Sequence, residues 1–248
     1  MLKLGDASIA AAFTARSASV TSCVAIILQG RCTLVTTIQM FKILALNCLV
    51  SAYGLSVLYL KGVRMGDAQA TATGIATALF FLFVSGSRPL QKLSPRRPPA
   101  SVLHPYVFFS VLFQFGVHLA VLMHATRMGD RYEADAPPEV DSDFEPSVPN
   151  TVVWLISAAM MVTTFAVNYK GKPYMEGLAA NKGLLVTLGG SALLIAALTS
   201  GALSDLADYL ELVPLPTEEL RSDLLGLMAA DFCLCWLLDK TLSKIFGY

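Results

Sequence analysis

One stretch limits what this chain can fold into more than any other. Residues 31–60, RCTLVTTIQMFKILALNCLVSAYGLSVLYL, are apolar almost throughout from Leu34. As a helix at about 1.5 Å per residue this run reaches about 45 Å, more than the roughly 30 Å hydrocarbon core of a bilayer. The surplus is expected to project as a stalk that enters the membrane near residues 33–37. Inside the run lie Gln39, Lys42, Asn47 and Ser51. A plain anchor has no use for them, because polar groups are costly in lipid unless they face protein or water. They read either as glue between helices or as the wall of a functional cavity. The pattern alone leaves both open.

The rest of the chain agrees with a membrane setting. It is 55% hydrophobic and only 15% charged over 248 residues, where soluble domains carry nearer a quarter charged residues. Five more apolar runs follow, at 68–87, 105–124, 151–168, 184–203 and 222–242, the last shorter in its apolar core than the others. All six are expected to be helices, since open strands cannot span lipid. The fold class is therefore all-α and polytopic, with a six-helix membrane domain over 31–248. Residues 1–30 are mildly polar and read as the edge of a cytosolic domain. They offer a short strand at 8–14, Ser19 as N-cap of a helix over 20–29, and Gly30 as a stop or hinge.

Charge orients the bundle. With the first helix starting in the cytosol, twelve Lys and Arg residues fall inside and five outside, with Lys42 in the membrane, as the positive-inside rule requires. Both termini are then cytosolic, and the acidic segments 129–149 and 205–223 are external. A net charge of zero gives no sign of a nucleic-acid partner. The Pro-rich stretch 93–99 (LSPRRPP) reads as a stiff connection on the inner side.

Few groups here suggest chemistry. Cys23, Cys32, Cys48, Cys233 and Cys235 show no metal-ligand spacing, and Cys233 and Cys235 point about 200° apart on a helix. Free thiols are the expectation, with no metal. His118 reads as a packing residue. Asp231 is the oddity, a carboxylate in mid-span that must face the interior, take a proton or find a cation. Lys42 and Asp231 fall at similar depth and are expected to pair. An intramembrane enzyme built on Asp231 would lack a second catalytic group.

Several stretches carry a resemblance to a known family. LGDASIAAAFT, QGRCTLVTTIQMFKILALNCLVSAYGLSVLYL, SRPLQKLSPRRP, FEPSVPN, FAVNYKGKPYMEGLAANK and LLGLMAADFCLCWLLDK closely resemble the C-terminal part of the type 5A P-type ATPases. One departure is Ala12, where that family usually has Pro. The resemblance implies the end of a phosphorylation domain over 1–30, joined through Gly30 and Arg31 to the stalk of membrane helix five, and then helices five to ten. It implies an endoplasmic reticulum membrane protein that uses ATP to extract misinserted transmembrane helices, with Gln39, Lys42, Asn47 and Ser51 bordering the client pocket. The phosphate-accepting DKTGT motif and a nucleotide-binding domain are absent from the sequence. The chain is thus expected to be inactive alone, with ATP and Mg belonging to the full-length parent and no cofactor in this chain. Its expected partners are the lipid bilayer, the N-terminal part of that parent and hydrophobic client helices. The alternative is a non-catalytic membrane module that binds client helices without ATP.

Overall fold

A computed structural model describes residues 19–60, 63–132 and 144–246. The strand expected at 8–14 lies outside the described residues. Seven helices follow in order: α1 (Thr21–Leu60), α2 (Asp67–Ser85), α3 (Pro105–Asp130), α4 (Val148–Asn168), α5 (Lys182–Ser200), α6 (Ser204–Tyr209) and α7 (Glu218–Ile245). Six of these overlie the six apolar runs, with α2 and α5 ending two and three residues before runs 68–87 and 184–203 do. The short α6 was not anticipated, and it lies in the segment read as an external loop.

Helix starts follow local chemistry. The Ser147, Asn181 and Thr217 side chains accept from the backbone N–H three residues on, opening α4, α5 and α7, which satisfies a donor that a helix cannot pair internally. Ser19 Oγ accepts from Thr21 N at 3.2 Å, so it sits at the start of α1 as its composition suggests. The break expected at Gly30 is not there: α1 runs unbroken for 40 residues. One glycine costs a helix only about 1 kcal/mol, too little to interrupt a run so well supported on both sides.

Among the described residues, α1 to α5 are long and apolar enough to cross a membrane. The sixth expected span lies in α7, whose 28 residues have the length but more charge. That charge is arranged by face. Asp231 and Asp239 are buried, whereas Phe232, Leu234, Trp236 and Leu237 are exposed, as suits a helix with a polar inner side and an apolar side toward lipid. Phe41 and Leu44 on α1, Phe108 and Phe113 on α3, and Leu193 on α5 are likewise turned outward.

The helix at the centre is α4. Seventeen of its 21 residues are buried, and α1, α2, α3, α5 and α7 all pack against it. Phe165 of α4 meets Phe80 and Phe81 of α2 at ring-centre distances of 5.0 and 4.9 Å. Neighbouring spans alternate in direction, for the start of α3 meets the ends of α4 and α7. The long first helix is therefore one wall of the bundle, and the axis of packing lies elsewhere.

Candidate functional site

Two polar layers, and a cavity between α1, α2 and α4, are set into this apolar frame. The first layer begins on α3, where Tyr106, Ser110, Gln114 and His118 are all buried. Their four-residue spacing puts them on one face of the helix. On α7, Asp231, Cys235 and Asp239 repeat the spacing and are also buried. The two stripes face one another because α3 and α7 pack together.

Asp239 is the hub. Its Oδ1 accepts from Lys42 Nζ at 2.8 Å, Tyr106 Oη at 2.6 Å and Ser110 Oγ at 3.3 Å. Its Oδ2 accepts from Lys170 Nζ at 2.6 Å. Both ammonium groups also lie over the Tyr106 ring, at 4.8 and 5.1 Å from its centre, a favourable placement for a cation on an aromatic face. Gln114 extends the network by exchanging amide hydrogen bonds with Asn168 at 3.1 and 2.9 Å. Four helices and the turn after α4 are joined in this way.

The expected pair of Lys42 and Asp231 is not formed. Lys42 takes Asp239, and Asp231 Oδ1 lies 2.7 Å from His118 Nδ1. Asp239, 5% exposed, lies at the level of Lys42 and takes it instead. Asp231 sits eight residues, about 12 Å, further along α7, where His118 is the group in reach.

The four residues proposed to border a client pocket divide into two pairs. Gln39 and Lys42 belong to the polar layer; Gln39 Oε1 accepts from the Lys170 backbone N–H at 2.8 Å. Asn47 and Ser51 instead line a cavity of about 500 Å³ between α1, α2 and α4, together with Thr73, Thr77, Trp154 and Ser157. The Asn47 Nδ2 amide is buried without a hydrogen-bond partner. A cavity with small hydroxyls, an indole and one unused donor suits a mostly apolar occupant carrying an occasional carbonyl.

The second polar layer closes the opposite end. Gln69 Nε2 donates to Asn150 Oδ1 at 2.7 Å and to the Leu210 carbonyl at 3.1 Å. Asn150 Nδ2 donates to the Arg64 carbonyl at 3.0 Å, and Val213 N donates to Thr151 Oγ1 at 2.9 Å. The segment around α6 is thereby fixed to α2 and α4. At the other end, Arg31 Nη1 donates to the carbonyls of Ser94 and Arg96 at 2.5 and 3.1 Å, tying α1 to the Pro-rich connection. Tyr174 Oη donates to the Arg97 carbonyl at 3.1 Å. Burial pushes the Tyr174 phenol above its ordinary value, against the pull of Arg96 and Arg31.

Sequence reasoning singled out Lys42 and Asp231 and passed over Tyr106, Gln114, Asn168, Lys170 and Asp239. The usable signal was the four-residue repeat of polar side chains on α3 and α7.

A helical bundle with charged groups turned inward and apolar faces turned outward defines a multi-pass membrane segment. No protein-family profile matches the chain. Individual relatives do. It is 46% identical, over 99% of its length, to the probable manganese-transporting ATPase PDR2 of Arabidopsis thaliana, of which it spans 21%. It is 43% identical over 99% of its length to the endoplasmic reticulum transmembrane helix translocase of Schizosaccharomyces pombe, spanning 20% of that protein. The translocase of the same name from Saccharomyces cerevisiae is 43% identical over 95% of the chain, which spans 19% of it. The chain is thus similar to a segment of these ATPases and translocases, and spans about a fifth of the length of the curated relatives it matches.

Proposed function

We propose that this segment is the client-binding membrane portion of an ATP-driven dislocase that extracts misinserted transmembrane helices from the endoplasmic reticulum membrane. Two relatives are named as endoplasmic reticulum transmembrane helix translocases. The observation that carries the reading to this chain is the cavity between α1, α2 and α4. At about 500 Å³ it holds a few side chains of a client helix, and its lining is apolar with scattered hydroxyls. The unpartnered Asn47 amide gives it a donor for a client carbonyl or hydroxyl. Such a lining favours a moderately hydrophobic helix over one that lipid solvates fully.

In this reading ATP and Mg²⁺ are held by the remainder of the parent ATPase, and residues 1–30 close its phosphorylation domain. Gly30 and Arg31 pass the motion of that domain into α1, which acts as an unbroken lever rather than a hinged one. Both termini lie in the cytosol, by the distribution of Lys and Arg.

A photoreactive residue in place of Ser51 tests the reading in the full-length parent, reconstituted with a moderately hydrophobic helix as client. Crosslinking is expected at Ser51 and not at Leu193, on the exposed side of α5. Equal capture at both positions would show general lipid-phase proximity and end the assignment.

A further inference from the structure

We propose that His118, Asp231 and Cys235 form a buried site for a divalent cation of the zinc class. Each offers one ligand atom, and these atoms all lie within 4.8 Å of one another. The three residues are 0%, 1% and 0% exposed. The α3 and α7 stripes bring them together, since Asp231 and Cys235 are four residues apart on one face and His118 sits on the facing helix.

The distances suit one ion. Zinc bonds to nitrogen and sulfur are about 2.0–2.3 Å long, so tetrahedral donors stand about 3.3–3.8 Å apart. Cys235 Sγ is 3.8 Å from His118 Nε2. Thr164 Oγ1 is 3.4 Å from the same nitrogen and places a fourth donor atom beside the site. Asp231 Oδ1 lies 2.7 Å from the other ring nitrogen, and Cys235 Sγ 4.0 Å from it.

Two further observations point to a cation. Asp231 Oδ2 is buried and has no hydrogen-bond partner, a costly state for a carboxylate in a bilayer. A thiolate and a carboxylate together offset a dication, leaving the cluster neutral in a medium of low dielectric. Imidazole, thiolate and carboxylate select zinc over manganese, magnesium or calcium, which prefer oxygen donors throughout. Binding would release the Cys235 thiol proton. The ion would rivet α3 to α7, with Thr164 of α4 beside it.

The test is elemental analysis of the full-length protein purified with zinc, followed by exchange for cobalt(II). About one zinc per chain is expected at a site of this kind, falling to background in Cys235→Ser and His118→Ala. Cys233→Ser, which alters the exposed thiol two residues away, is expected to keep it. Cobalt should give a thiolate-to-metal charge-transfer band in the unmutated protein, a readout that needs no variant to fold. Absence of both bound zinc and that band would overturn the proposal, leaving a hydrogen-bonded His–Asp pair beside a thiol. Retention of the zinc by Cys235→Ser would overturn it equally.

Discussion

Replacing Asp239 with alanine should destabilise the bundle more than replacing any of its partners. The carboxylate takes four donors, of which Lys42 is 3% exposed and Lys170 has a side chain 21% exposed. Loss of Asp239 strands the Lys42 ammonium with only the Tyr106 hydroxyl, at 3.2 Å, and the Tyr106 ring face. Leaving one charge of a buried pair uncompensated typically costs about 3–5 kcal/mol. Lys42→Met is a different perturbation. It leaves Asp239 still served by Lys170 and two hydroxyls, so the loss is nearer one hydrogen bond to a charged group, about 1.5–3 kcal/mol. The double variant Lys42→Met with Asp239→Ala removes both charges, and Lys170 can turn its head toward water. Its cost should fall short of the sum by about 1–3 kcal/mol, the coupling expected of groups in one network. Reversible unfolding in mixed micelles supplies the four corners of the cycle. Additivity would refute the hub, and so would a Lys42→Met loss as large as that of Asp239→Ala. A parallel cycle on Lys42 and Asp231 should be additive within about 0.5 kcal/mol, because the two have separate partners.

Two other measurements follow from the same geometry. A Cβ on Gly171 would lie 2.6 Å from the Gly177 Cα, whereas one on Gly30 would meet nothing within 4 Å; Gly171→Ala should therefore destabilise by about 1–3 kcal/mol and Gly30→Ala stabilise by about 0.5–1 kcal/mol, and the opposite order in thermal unfolding would contradict the unbroken α1. Single cysteines at Lys92 and Ser204, both exposed, should label from opposite sides of the membrane in a cysteine-free background, and labelling from one side would refute the alternation of spans.

The spans were legible because hydropathy sums over twenty residues and tolerates local errors. Capping residues such as Ser147 and Thr217 then set the helix starts. The central place of α4 was not legible. Its sequence, VPNTVVWLISAAMMVTTFAVN, is as apolar as that of its neighbours, and what distinguishes it is being surrounded on all sides. Burial in a membrane bundle leaves little mark on hydropathy, since lipid and protein interior are both apolar.

The polar residues of α1 show a second limit. Gln39, Lys42, Asn47 and Ser51 look like one series, yet at about 100° per residue Lys42 and Asn47 point some 140° apart. The first two therefore meet the α3 and α7 stripes, and the last two open on the cavity beside α2. Position along the helix fixed the depth of Lys42, but the choice of partner belonged to the facing helix. Two carboxylates lie two turns apart on α7, and the packing of α3 against α7 gives Asp231 to His118 and leaves Asp239 to the lysines. Exchanging these partners would require α7 to slide about 12 Å past α3, so the ion pairs fix the register of the bundle that the apolar faces alone leave free.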